Sequence, residues 1–109
     1  MEKPINIFEL NVQEPWKFFI FNGQKTIEGR RASPKWNSVK EKDQLIIDNI
    51  IFIVVAVRRY TSIKEYLEAE GLNKTLPGIQ TIEKGIEVYE NIYYKQKIEG
   101  MVAMEIKKL

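Results

Sequence analysis

The sequence predicts an α+β domain, a small and mostly antiparallel β-barrel flanked by about three helices. The main indication is the stretch from Ile50 to Arg59, a run rich in Ile, Val, Phe and Ala that favours a long central strand covered on both faces. Residues 100–106 alternate as a final strand does, and other segments carry apolar residues at helical spacing. A chain of 109 residues can bury one core, so we expect a single domain over residues 1–109.

The first half of the chain predicts a helix between two strands. In order, we expect a strand, a helix, a second strand and a polar loop, at residues 5–10, 14–21, 23–30 and 31–38. Pro15 suits the first turn of the helix, and Gly23 suits its end because glycine tolerates positive φ. Pro34 interrupts the loop and favours an extended or turned backbone before it.

The second half predicts three strands and two helices. We expect strands at residues 44–47, 50–59 and 100–106, helices at residues 62–71 and 81–94, and a connector at residues 72–78. The pair Asp48-Asn49 separates two strand-forming runs and predicts a hairpin. Ser62, with Glu65 three residues later, predicts a capped helix start. The last helix carries Tyr89 and Tyr93 on its apolar face, where core packing is expected and ligand contact is the alternative.

Composition argues against several kinds of site. The chain has no cysteine and no histidine, which disfavours disulfides, metal sites built on thiolate or imidazole, and Ser-His-Asp or Cys-His catalysis. We therefore expect no metal, no cofactor and an intracellular, cytoplasmic protein. The longest apolar stretch has eight residues, whereas a membrane helix needs about twenty. The net charge of +2 is too small to identify a partner.

The signature strand, residues 23–30, carries a lysine, a glutamate and an arginine within a short distance along the chain. Because side chains alternate along a strand, Thr26, Glu28 and Arg30 should project from one face. Lys25 should point to the other face unless the preceding turn re-aims it. The pattern is suited to a small pocket for a polar ligand.

The chemistry of these side chains supports two interpretations. Arg30 offers a planar fork of donors for a phosphate or a base edge, Lys25 supplies a point charge, and Glu28 can hold the arginine or accept a proton. The alternative is an amphipathic edge strand with a Glu-Arg surface pair, which would add only about 0–1 kcal/mol to stability. Spacing alone does not choose between a pocket and a solvated strand.

Arginines and aromatic residues are neighbours at two places. The pairs Arg30-Arg31 and Arg58-Arg59 contain all four arginines, and they lie near Trp36 and Tyr60. Arginine beside a stacking ring is typical of sites for single-stranded RNA or nucleotides. The alternative is that Trp36 belongs to the core and the arginines are solvated.

Gly23, Lys25, Glu28 and Arg30 match every position of the G-x-K-x-x-E-x-R signature of the ASCH family, which the chain resembles. Further blocks resemble one branch of that family in the same order, at residues 57–62, 70–72, 76–79, 81–83 and 88–89. The resemblance covers nearly the whole chain and implies one ASCH domain over residues 1–109 with a PUA-like barrel. It also implies an RNA-associated binding module.

The expected ligand is single-stranded RNA, a nucleoside or a nucleotide. The signature and the arginine–aromatic pairs together predict its binding residues: Gly23, Lys25, Glu28, Arg30, Arg31, Trp36, Arg58 and Tyr60. On this interpretation, replacing Lys25 or Arg30 by alanine should leave the fold intact and weaken RNA binding. We expect no membrane partner.

Hydrolysis is an alternative that the resemblance raises. Some similar bacterial proteins are acetylcytidine amidohydrolases that use a Lys, a Thr and a Glu, and Lys25 matches that lysine. Position 28 is Glu28 instead of threonine, the nearby hydroxyl is Thr26, and the acid could be Glu70 or Glu68. Other members look like ribonucleases, in which case Lys25 and Glu28 would be the catalytic acid–base pair.

A protein-interaction domain is the third interpretation. The segment Leu76-Pro77-Gly78-Ile79 could form an exposed docking point. A loop of this composition is more typical of a packed connector, and no other feature of the sequence requires a protein partner.

Overall fold

The computed structural model describes residues 4–94 and 96–109, and within them it contains five strands and five helices. The strands are β1 (Ile7–Glu9), β2 (Ile27–Arg31), β3 (Gln44–Ile47), β4 (Ile50–Tyr60) and β5 (Met101–Lys108). The helices are α1 (Trp16–Phe21), α2 (Pro34–Asn37), α3 (Ile63–Glu70), α4 (Leu72–Thr75) and α5 (Ile82–Ile92).

The strands form one curled, mixed sheet in the order β1-β3-β4-β5-β2. The β1–β3 pair is parallel, and the other three pairs are antiparallel. The expected α+β class is confirmed, and the barrel is a half-barrel in which β1 and β2 form the two edges. The predicted hairpin at Asp48-Asn49 joins β3 to β4, with both residues at positive φ.

Two short helices occupy segments that were expected to be a loop and a connector. In α2, the Ser33 side chain accepts a hydrogen bond from the Trp36 amide, and Pro34 stands in the first turn. In α4, Gly71 at φ +90° allows the chain to leave α3 and start another turn at once. Helices of four residues are too short for apolar periodicity to reveal them, because they span little more than one turn.

The expectation that residues 50–59 are covered on both faces was wrong. Ile51 and Val55 are exposed on β4, at 36% and 41%. The strand buried on both faces is β5. The side chains on its two faces belong to two different core clusters. The first cluster includes Val102, Met104 and Ile106, and the second includes Met101 and Ala103.

The second core cluster lies beneath the signature strand and contains the largest fully buried side chain, Tyr66 of α3. Its ring packs so close to Gly29 of β2 that a Cβ at this position would overlap the phenol. Glycine is therefore required here by lack of space, and its φ is not in the left-handed region. This close approach brings the helices over the site that β2 carries.

We expect Gly29→Ala to destabilise the protein by about 1–3 kcal/mol, because an added methyl group overpacks the contact with Tyr66. Urea denaturation followed by circular dichroism would measure the loss. In the double variant Gly29→Ala, Tyr66→Leu, the smaller leucine leaves room for the added methyl group. The loss in unfolding free energy of this double variant should therefore be smaller than the sum of the losses in the two single variants. Strict additivity of the two substitutions would contradict this explanation.

Candidate functional site

A cavity of about 260 Å³ opens between the signature strand and the helices, and we call it the signature cavity. Three parts of the chain line it: the segment from the end of β1 to the first residue of α1, the signature strand, and the helical second half. The lining residues are Asn11, Val12, Gln13, Trp16, Lys25, Glu28, Gly29, Arg30, Leu76, Tyr89, Ile92 and Tyr93.

Glu28 is the centre of the charged groups in this cavity. Its Oε2 accepts hydrogen bonds from Nε and Nη2 of Arg30, at 3.1 and 2.9 Å. Its Oε1 lies 3.5 Å from Nζ of Lys25. Glu28 is only 5% exposed, so one buried acid holds two cations.

Lys25 lies on the same side as Glu28, opposite to what simple alternation predicts. It precedes β2, which begins at Ile27, and it follows the turn at Gly23, whose φ is +86°. Strand alternation therefore does not apply at Lys25, and the turn directs the side chain inward.

Lys25 forms the floor of the cavity. The residue is 2% exposed, and its ammonium donates to the carbonyl oxygens of Ile27 and Thr75, the latter at 2.6 Å. The Glu28 carboxylate, 3.5 Å away, is the counterion of this ammonium. Burial lowers the pKa of Lys25 below its ordinary value of 10.5, and the Glu28 carboxylate partly offsets this effect.

Arg30 is the partly exposed cation of the site, with 21% of its side chain accessible. Besides its bonds to Glu28, Nη2 donates to the Asn11 carbonyl at 2.7 Å, linking β2 to the segment that follows β1. The guanidinium carbon also lies 5.3 Å from the centre of the Trp36 ring. A carboxylate, a carbonyl and an aromatic ring therefore orient Arg30.

Two tyrosines, Tyr89 and Tyr93, complete the inner wall. The Tyr66 and Tyr89 hydroxyls are hydrogen-bonded at 2.7 Å, and burial raises the pKa of both groups. The Tyr93 hydroxyl accepts a hydrogen bond from the Arg31 amide at 2.9 Å, and burial also raises its pKa. These phenols stay neutral near pH 7, so Tyr93 retains a proton that it can donate.

Two other predicted residues lie near the cavity without lining it. Arg31 is at the rim, where Nη1 donates to the Gln96 side chain at 2.9 Å and the guanidinium carbon lies 5.4 Å from the Tyr93 ring centre. Gly23 lies in the turn before the signature strand and borders a different cavity, together with Thr26. The structure thus separates Thr26 from the cavity that Glu28 and Arg30 line.

A second charged cluster joins the end of β4 to α3. Arg58 donates to both carboxylate oxygens of Glu70, at 2.7 and 2.8 Å, and to Glu105 at 2.9 Å. The Tyr60 hydroxyl also donates to Glu70. The Arg58 guanidinium is the main cause that lowers the pKa of Glu70. None of these four side chains lines the signature cavity.

Sequence reasoning missed Asn11 and Gln13, which bring polar groups to the cavity. These residues lie twelve or more positions before the signature glutamate, in a segment without a recognisable motif. Only the curling of the sheet brings them to the signature strand. Tyr89 belongs to the second core cluster and Tyr93 packs against it, as expected, and both side chains also line the cavity.

Neither a metal cluster nor a membrane-spanning helix is found in the part of the chain that the structure describes. Among residues 4–94 and 96–109, no three acidic side chains are grouped so that they could hold an ion. In the same residues, no helix combines the length and apolar character needed to cross a bilayer.

Comparison with known proteins identifies the family. The family model described as the ASCH domain matches residues 10–109. Comparison with curated proteins finds no match.

Two solved structures share the fold over nearly the whole chain. The crystal structure of hypothetical protein PH0355 is similar at a TM-score of 0.86 and 36% identity, covering 94% of this chain and 99% of that chain. The solution NMR structure of protein PF0455 from Pyrococcus furiosus has a TM-score of 0.76 and 38% identity, with 94% and 97% covered. The fold is thus the ASCH, PUA-like fold, and the chain belongs to the ASCH domain family.

Proposed function

We propose that this ASCH domain binds a nucleic-acid-derived ligand, a nucleotide of single-stranded RNA, in the signature cavity. The observation that carries the proposal is the guanidinium of Arg30, which Glu28 holds in a fixed orientation at a concave and partly exposed site. Such a preoriented fork of donors suits a phosphate or the edge of a base. The usual association of the family with RNA agrees with this chemistry.

The charges and size of the cavity support the proposal. Two cations, Lys25 and Arg30, surround one carboxylate, Glu28, so the group carries one net positive charge when the lysine is protonated. Within the described residues, Nη1 of Arg30 has no hydrogen-bond partner and can donate to a ligand. A volume of 260 Å³ lies below the roughly 300–1,000 Å³ of pockets for drug-sized ligands, which suits a group as small as the single base of a nucleotide.

The direct test replaces Arg30 by glutamine. We expect Arg30→Gln to weaken binding of a short fluorescein-labelled single-stranded RNA by roughly ten- to a hundredfold, since hydrogen bonds to charged groups contribute about 1.5–3 kcal/mol. Fluorescence anisotropy at fixed salt would measure the affinity, and circular dichroism would verify the fold.

The matched control is Arg59→Gln, which removes the same charge from an exposed arginine that does not line the cavity. Arg59 donates to the Asn37 carbonyl at 2.7 Å. Because both variants lose one positive charge, non-specific attraction to RNA should fall equally in both. Equal binding by the wild type and Arg30→Gln would remove the proposal.

Hydrolysis is the second candidate function, favoured by one observation. Lys25, with a pKa lowered by burial, lies 3.5 Å from Glu28 at the floor of the cavity, as an acid–base pair could. Thr26 and Glu70 lie outside the cavity, so a Lys-Thr-Glu arrangement receives no support. Incubation with acetylated cytidine or labelled RNA distinguishes the functions, because turnover by the wild type that is lost in a Glu28→Gln protein with an unchanged circular dichroism spectrum would favour hydrolysis.

A further inference from the structure

A second cavity adjoins the signature cavity on the other side of Arg30. This groove, which we call the outer groove, has a volume of about 630 Å³ and is more open to solvent. Asn11 and Arg30 line both cavities, and Lys35 and Trp36 line only the outer one. The hydrogen bond from Arg30 to the Asn11 carbonyl therefore lies at the boundary between two adjoining spaces.

The near wall of the outer groove combines an aromatic ring with two cations. Trp36 is half-buried, with its ring centre 5.3 Å from the Arg30 guanidinium carbon and 4.8 Å from Nζ of Lys35. Lys35 is exposed, so its flexible side chain can leave the ring when another group stacks there. Bases stack readily on tryptophan, and the displaced ammonium would remain close to a phosphate.

Other residues that line the outer groove have a different character. They include Glu9, Asp48 and Asn49, and the Asp48 carboxylate is paired with Lys17 at 3.0 Å. Carboxylate and amide oxygens accept hydrogen bonds from amino groups on base edges and do not attract phosphate. The groove thus offers cations for a phosphate and acceptors for a base.

We propose that the ligand is a strand of at least two nucleotides that crosses Arg30. One nucleotide occupies the signature cavity, its neighbour stacks on Trp36 in the outer groove, and the phosphate between them contacts Arg30 and Lys35. This inference rests on the proposed function and narrows the ligand class from any nucleotide to a dinucleotide or longer single strand.

The two tryptophans of the chain allow each cavity to be monitored separately. Trp16 lines the signature cavity and Trp36 lines the outer groove. Trp36→Phe leaves Trp16 as the only tryptophan, and Trp16→Phe leaves Trp36. Fluorescence would be followed while each protein is titrated with cytidine, uridine and adenosine 5′-monophosphates and with the dinucleotides CpC, UpU and ApA.

We expect the mononucleotides to change the emission of Trp16 alone and the dinucleotides to change the emission of both tryptophans. For at least one base, the dinucleotide should bind wild type roughly tenfold more tightly than the mononucleotide, as expected for one more stacked base. Trp36→Leu should remove that gain, so that a dinucleotide binds this variant no more tightly than the mononucleotide does.

Lys35→Gln provides a variant at an exposed position, which serves if Trp36→Leu does not fold. This variant should weaken dinucleotide binding. It should also lower the slope of log affinity against log salt concentration by the amount expected for about one phosphate contact. Arg59→Gln should change neither the dinucleotide affinity nor this slope. Dinucleotides that bind no better than mononucleotides, or that leave Trp36 emission unchanged, would overturn the two-nucleotide site and leave the proposed function standing. Absence of binding by every nucleotide and by longer RNA would overturn both.

Discussion

Replacing Lys25 by methionine is expected to lower the free energy of unfolding by about 3–5 kcal/mol, a large part of the stability of a small domain. Methionine has a similar length but removes the donors that satisfy the Ile27 and Thr75 carbonyls and the charge beside Glu28. Buried acceptors without partners and a buried carboxylate with one cation fewer both favour the unfolded state. Urea denaturation at pH 7 measures the difference.

The control for this prediction is Lys17→Met, at a lysine whose ion pair with Asp48 is partly exposed to solvent. The two substitutions are chemically identical, and the surface variant should unfold close to the wild-type midpoint. A Lys25→Met protein as stable as the wild type would contradict the structural role of the lysine. The same reasoning replaces the expectation that Lys25→Ala leaves the fold intact, because the ammonium is buried and hydrogen-bonded to two carbonyl oxygens.

Glu28→Leu is expected to have a comparable cost at pH 7, about 3–5 kcal/mol, and the cost should decrease as the pH rises. Without the carboxylate, Lys25 is a buried cation that lacks its counterion. Burial already lowers its pKa in the folded protein, and loss of Glu28 removes the effect that raises it. At pH values above the pKa of Lys25 in the folded variant, the unfolded chain binds more protons than the folded chain. The free energy of unfolding of Glu28→Leu therefore rises with pH up to the ordinary lysine pKa of 10.5.

Denaturation of wild type and Glu28→Leu at several pH values between 7 and 10 would test this dependence. The difference in unfolding free energy should shrink across that range, because deprotonation of Lys25 relieves the buried charge. The double variant Lys25→Met, Glu28→Leu lacks this titrating group. The difference in unfolding free energy between the double variant and Lys25→Met should therefore not change with pH. A cost of Glu28→Leu that is the same at pH 7 and pH 10 would exclude this explanation.

Binding experiments must allow for these structural roles. Lys25 and Glu28 are buried, so a loss of binding in their variants could follow from a loss of the cavity itself. Arg30 and Lys35 reach solvent, and their variants report on ligand contact more directly. Arg59→Gln remains the reference for a general loss of positive charge.

The order of the main elements and part of the site follow from local patterns. Ser62 and Thr81 cap α3 and α5, and the run ending at Arg59 forms a long strand. Glu28 and Arg30 share one face of β2 because side chains alternate along a strand. These features depend on neighbours within a few residues, so the sequence alone could predict them.

The rest depends on contacts between distant segments. Lys25 can be buried because the Thr75 carbonyl, fifty positions along the chain, accepts a hydrogen bond from its ammonium. Arg58 is bound by Glu70 and Glu105 away from the cavity, and Asn11 reaches Arg30 only because the sheet curls. Residue types and spacing determined the family, the fold class and the pairing of Glu28 with Arg30. Which cation faces solvent was decided by tertiary packing, since burial and partners depend on the whole fold.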